Sequence, residues 1–186
     1  MKEILEKVLN VKNETLNLLD TKYANMYNLH HDIRYFHLPS GTEHYRLLMY
    51  ISSLLDHKLI YDIGTYRCLS SIALSYTYKN KIKSFDVARA LPMNPIIPNV
   101  SYYIQDVTTD PELINSNLAF LDVYHDGIFE DKFYAHLHEI GWKGLLILDD
   151  IHLNDPMKRF WSEISEDKYD ITSIGHWSGT GLVHFK

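Results

Sequence analysis

Residues 59–66 read LIYDIGTY. An apolar run ends in Asp62, Gly64 follows, and a segment of helical character opens at Leu69. That is how a parallel strand passes the chain into a turn that binds a phosphate or a nucleoside. Three further apolar runs end in carboxylates: SFD at Asp86, LAFLD at Asp122, and LLILDD at Asp149 and Asp150. In an open parallel sheet, ligands bind outside the carboxyl ends of the strands. Acids therefore recur where such a fold builds its chemistry.

Strand and helix patterns alternate outward from that stretch. Strands are predicted at 58–62, 81–86, 100–104, 118–123 and 144–148, and helices at 69–78, 110–115, 130–140 and 155–164, the last capped by Asn154 or Asp155. Residues 88–99 hold Pro92, Pro95 and Pro98 and read as a loop. The tail differs: 169–174 and 181–185 flank the turn HWSGTG and predict a hairpin. Upstream, Ile4, Leu5, Val8, Leu9, Leu16, Leu18 and Leu19 form a helical stripe over residues 1–29. It suits a helix packed on the domain better than a membrane anchor. Ser40 or Thr42 is expected to cap a helix running to about Leu55. The pattern predicts an α/β fold: a mostly parallel seven-stranded sheet, helices on both faces, and a C-terminal antiparallel hairpin.

The 186 residues suffice for one domain, 1–186, with an N-terminal helical or lid segment to residue 40 and a core over 41–186. A formal charge of -6 offers no electrostatic footprint for nucleic acid. The lone cysteine, Cys68, excludes an internal disulfide and a thiolate cluster. No apolar run reaches the roughly 18 residues that span a bilayer. The opening MKEILEKVLN carries acids early, unlike a signal peptide, so a cytoplasmic setting is expected.

The sheet with its terminal hairpin, and Asp62-Ile63-Gly64 after the first strand, resembles the class I S-adenosylmethionine-dependent methyltransferases, whose core is Rossmann-like. SFD at Asp86, YIQD at Asp106, LDVYHDG from Leu121 and GLLILDDIH from Gly144 extend the resemblance to the small O-methyltransferases. Within these the chain is most similar to the metal-assisted enzymes acting on macrolide sugars. The resemblance covers roughly 40–186. It implies that Asp62, Gly64, Thr65, Tyr66 and Ser70 hold the methionine end of the cofactor, with Gly64 making room for it. It implies that Asp86 accepts the ribose hydroxyls and that Asp106 lies near the adenine. Cys68 departs from the pattern, because many relatives place a second glycine there; a buried small side chain is the simpler reading of it than a reactive thiol.

The same resemblance implies that Asp122, Asp149 and Asp150 hold a divalent metal, with Mg²⁺ suited to three hard oxygens. His125 then matches the general base, and His152 is a second ligand, a substrate contact or an alternative base. Against this stands the ordinary role of strand-end acids in capping and local ion pairs. His30, His31, His37 and His44 read as surface or lid histidines, and His176 and Trp177 as a hairpin tip available to a partner or a second subunit.

The expected function is methyl transfer from S-adenosylmethionine to a hydroxyl of a small molecule, such as a sugar. The alternatives are a metal-independent methyltransferase and a non-catalytic nucleoside-binding protein of the same fold. A homo-oligomer is compatible with the sequence.

Overall fold

The sheet of this chain, seen in a computed structural model that describes residues 1–27, 30–88, 90 and 95–186, has the strand order β3-β2-β1-β4-β5-β7-β6. Of residues 30 and 31 only the backbone is described, and the part of the proline loop comprising residues 89 and 91–94 lies outside the described residues. The strands are β1 (Leu59–Ile63), β2 (Lys81–Asp86), β3 (Val100–Ile104), β4 (Leu118–Leu121), β5 (Gly144–Asp149), β6 (Asp167–Asp170) and β7 (Thr180–Phe185). The first five run parallel, and β7 is antiparallel to both β5 and β6. The predicted sheet and its terminal hairpin are both present.

β4 and β5 are buried at every position, as strands covered on both faces must be. On one face Ile60, Ile82, Phe120 and Ile147 pack beneath α1 (Lys2–Asn10), α2 (Asn13–Asn17), α3 (Tyr45–Leu54) and α4 (Leu69–Leu74). On the other, Tyr61, Phe85, Leu121 and Leu148 pack beneath α5 (Ile128–Glu139) and α6 (Asp155–Glu163). The chain order reverses between β1 and its neighbours β2 and β4, so connections leave in opposite directions there and open a crevice.

Several predicted boundaries move for identifiable reasons. α3 starts at Tyr45, not after Ser40 or Thr42, and His44 occupies its N-cap position. Ser40 is engaged elsewhere: its hydroxyl donates to the Asn13 carbonyl at 3.2 Å and its backbone nitrogen to Asn17 at 2.9 Å. The helix expected over 110–115 is replaced by two 3₁₀ turns, Val107–Thr109 and Leu113–Asn115, on either side of Pro111. α6 is capped by Asn154, whose side chain accepts from the Met157 nitrogen at 3.0 Å. β6 ends at Asp170 because that carboxylate captures the nitrogen and hydroxyl of Thr172. Among the described residues no helix is long and apolar enough to cross a membrane.

Candidate functional site

Two cavities open at the carboxyl ends of β1, β2, β4 and β5. The first, about 520 Å³, is lined by Asp86, Asp106, Val107 and Phe129 among others; the second, about 420 Å³, by Glu43, His44, Asp149, Asp150 and His176 among others. Both are walled by Gly64, Tyr66 and Asp122, so they are contiguous at the β1–β4 switch point. Their sizes are those of ordinary small-molecule sites.

The turn after β1 is built tightly. Gly64 has φ +85°, and a Cβ there would stand 1.7 Å from the Asp122 carbonyl oxygen. The collision expected with a ligand is thus first a collision with the protein's own backbone. The Tyr66 nitrogen donates to Asp86 Oδ2 at 2.8 Å and the Ala88 nitrogen to Oδ1 at 3.2 Å, which fixes the carboxylate at the mouth of the first cavity. Asp106 accepts from the Thr108 nitrogen and hydroxyl and from Lys132. Burial acts to raise its pKa, but these donors prevail and hold it below the usual range.

Asp62 is fully buried and lines neither cavity, although Ile63 and Gly64 after it do. Its Oδ2 accepts from Ser84 at 2.8 Å, and its Oδ1 has no partner. Burial pushes its carboxyl up to about 6. Thr65 and Ser70 line the second cavity, and the Thr65 hydroxyl pairs with Ser71 at 3.0 Å. Cys68 is buried with φ +67°, the left-handed region that a glycine occupies without strain. Burial, reinforced by Asp62, pushes its thiol up to about 12, so it is an inert small side chain.

Acids and imidazoles alternate along the wall of the second cavity and, at His125, behind it. His44 Nδ1 is 3.3 Å from Asp149 Oδ1, which is 3.3 Å from His176 Nδ1. That nitrogen is 3.2 Å from Asp150 Oδ1, and Asp150 Oδ2 is 3.2 Å from His125 Nε2. His125 Nε2 is in turn 3.2 Å from Asp122 Oδ1. Burial raises the Asp122 carboxyl, and Asp149 reinforces the effect. For Asp149 burial acts upward too, but His44 and His176 outweigh it and hold that carboxyl well below the usual range.

The loop carrying His125 is held on both sides. The His125 nitrogen donates to the buried Glu130 carboxylate at 3.0 Å, and the Asn154 side chain donates to its carbonyl at 2.8 Å. His125 and Asp150 have φ +57° and +59°, and Tyr66 has φ +43°. With Cys68, four of the six non-glycine residues of positive φ among the described residues thus sit in the loops at this end of the sheet. Such strain of about 1–3 kcal/mol per residue gathers at functional sites.

The structure therefore brings Asp122, Asp149 and Asp150 to the wall of the second cavity, while His125 lines neither cavity and stands behind Asp122 and Asp150. It does not leave the three acids alone together: Asp122 and Asp150 meet through His125, and Asp149 sits between two other imidazoles. His152 is elsewhere, 2.7 Å from Asp170. His37 is exposed and bonds Thr21 and Asn25. His44 and His176 are the residues that sequence reasoning missed. His44 is buried, not at the surface, and His176 points into the cavity while Trp177 stays exposed at the tip. A signal for His176 did exist: an antiparallel β7 beside β5 places the residues preceding β7 next to the acids ending β5, and Asp149 is paired with Thr180.

No protein-family model and no curated protein matches the chain. Solved structures do. A Podospora anserina methyltransferase, PaMTH1, solved with SAH bound, superposes with a TM-score of 0.60 at 13% identity, over 100% of this chain and 94% of that one. The O-methyltransferase TomG of Streptomyces achromogenes, involved in tomaymycin synthesis and solved with SAM, gives 0.56 at 16%, over 100% and 96%. An O-methyltransferase from Bacillus cereus in complex with SAH gives 0.53 at 16%, over 99% and 96%. The chain shares the fold of these methyltransferase structures.

Proposed function

We propose that this chain is an S-adenosylmethionine-dependent methyltransferase that methylates a hydroxyl of a small, polar acceptor with the help of a divalent cation. The observation that carries the reading is the pair of contiguous cavities, one with a fixed acid at the end of β2 and one walled by acids and imidazoles. Solved neighbours of the same fold hold SAM or SAH, which supports the choice of cofactor.

The residues suit that cofactor. Each Asp86 oxygen has one backbone donor and keeps a lone pair for a ribose hydroxyl. Asp106, Val107 and Phe129 line the same cavity and suit an adenine. The orphaned Oδ1 of Asp62 is an acceptor under the turn, suited to an ammonium group directly or through water. S-adenosylmethionine supplies, when bound, an electrophilic methyl group on a sulfonium.

The second cavity orients the acceptor. Glu43, Tyr45 and Arg67 give it hydrogen-bonding walls, which favour a hydroxylated ring such as a sugar. Asp122 stands at the junction of the two cavities and faces the attacking hydroxyl, whose proton passes through it to His125, 3.2 Å behind. A cation in the acid–imidazole wall would make that hydroxyl easier to deprotonate. Holding both reactants in line is the main source of rate.

Calorimetric titration with S-adenosylmethionine, followed by label transfer from its methyl group to a panel of hydroxylated small molecules with and without EDTA, tests the reading. One cofactor per chain and EDTA-sensitive transfer are expected. A folded protein that binds no S-adenosylmethionine overturns the reading, and transfer indifferent to EDTA overturns the cation.

A further inference from the structure

The resemblance implies Mg²⁺ on three carboxylates, but the donor atoms gathered in this structure are different. Among the described residues, the group whose potential ligand atoms lie within 4.8 Å of one another is His44, Asp149 and His176. From this juxtaposition we infer that His44, Asp149 and His176 form a nitrogen-rich site for a transition-metal ion such as Zn²⁺ or Co²⁺, and that Mg²⁺ is a poor occupant. The inference deepens the proposed function by naming the class of cation, and it rests on that reading for the ion's role.

Geometry is the first support. His44 Nδ1 and His176 Nδ1 each lie 3.3 Å from Asp149 Oδ1. Ligand atoms at about 2.0–2.1 Å from a tetrahedral ion are separated by about 3.3 Å.

Unmet valence is the second. Neither ring nitrogen of His44 has a hydrogen-bond partner, nor does Asp149 Oδ1, although both side chains are only 3% exposed. A simple buried ion pair would align its N–H with the carboxylate. Here the ring nitrogen and the carboxylate oxygen approach to 3.3 Å without the alignment of a hydrogen bond, which leaves room for an ion between them. Buried polar atoms left unpaired cost about 1–3 kcal/mol each.

Donor chemistry decides the metal. Two imidazoles and one carboxylate suit Zn²⁺, Co²⁺ or Fe²⁺, whereas Mg²⁺ prefers oxygen donors and retained water. The surroundings agree. The Glu43 carboxylate lies 3.7 Å from His176 Nε2, close enough for charge attraction though not for a hydrogen bond. The buried Ser178 hydroxyl donates to Asp150 and lies 2.9 Å from His176 Nδ1, a contact that an ion would displace. With three protein ligands on a cavity wall, an ion would keep a position open toward the acceptor.

The test uses the full chain stripped by a chelator and titrated calorimetrically with Zn²⁺, Co²⁺ and Mg²⁺ in the absence of cofactor, together with the visible absorption of the Co²⁺ form. Expected are one ion per chain, binding of Zn²⁺ and Co²⁺ at least about 100-fold tighter than Mg²⁺, and ligand-field bands of nitrogen-ligated Co²⁺. His176→Gln and His44→Gln should each weaken Co²⁺ binding by about tenfold or more and alter those bands, while Asp122→Asn changes affinity by only a few-fold. His176 is the half-buried member, so H176Q decides the matter if H44Q does not fold. Equal affinity for Mg²⁺, unchanged Co²⁺ binding in folded H176Q, or no ion bound at all would overturn the site. S-adenosylmethionine titrated into the same samples reports separately on the proposed function.

Discussion

The backbone nitrogen of Tyr66 donates to the carboxylate of Asp86 across 2.8 Å, tying the turn after β1 to the end of β2. Asp86 therefore has a structural partner as well as the ribose contact proposed for it. Asp86→Ala should weaken S-adenosylmethionine binding by roughly tenfold or more, since hydrogen bonds to a charged acceptor are worth about 1.5–3 kcal/mol. Asp86→Asn keeps an acceptor and should fall between the two. Native affinity in folded D86A, measured by calorimetry, would remove Asp86 from the cofactor site.

Asp62 couples stability to pH. Its ordinary carboxyl value is 3.8, and burial raises it to about 6 in the folded chain. The folded state thus holds a proton that the unfolded state releases. The contribution is fully present below 3.8 and is lost as pH rises through about 6. Ionised Asp62 then costs on the order of 2–3 kcal/mol. Asp62→Asn should raise urea stability at pH 8 and leave it nearly unchanged at pH 4, while weakening the cofactor. Equal stability of mutant and native protein at pH 8 would count against the buried charge.

Gly64 tests the architecture. Alanine there meets the Asp122 carbonyl at 1.7 Å and must hold φ near +85°. Relieving the clash requires β1 and β4 to part at the floor of both cavities. Gly64→Ala should lose at least about 3 kcal/mol of stability, more than left-handed strain alone costs. A thermal melt within a few degrees of native would mean that the β1–β4 turn relaxes without cost.

The strand ends were readable in the sequence because burial on both faces leaves a plain apolar run in β4 and β5, and an Asp stands at or next to the end of β1, β2, β4 and β5. The order of acids along the chain therefore maps onto one edge of the sheet. The imidazoles were harder. His44 precedes a helix and His176 a strand, and neither lies in a motif with Asp149. Only the packing of α3 on the sheet and the antiparallel return of β7 bring them together. Helix lengths failed for a local reason: α4 stops at Leu74 where the Ser75 hydroxyl turns back to the Ile72 carbonyl, a competition that apolar periodicity does not register.

His125 carries the most exposed prediction. Its Nε2 is 3.2 Å from both Asp122 and Asp150, and its backbone is clamped by Glu130 and Asn154. Burial acts to lower the pKa of this imidazole, but Asp122 foremost, then Asp150 and Asp149, outweigh it, and the net shift is upward. A base must be neutral to take a proton. Turnover should therefore fall as pH drops through a value above the ordinary histidine range, with the acidic limb displaced to higher pH. Asp122→Asn removes the largest upward influence and should return the limb toward 6.5, the ordinary value. His125→Ala should cost about 10²- to 10⁴-fold in turnover while cofactor affinity stays near native, because the imidazole pairs with Asp122 and Asp150 and does not line the Asp86 cavity. Rates measured from pH 6 to 9 decide it: a mutant with native turnover and an unmoved acidic limb would strip His125 of the role and leave the proton to another group of the acid–imidazole wall.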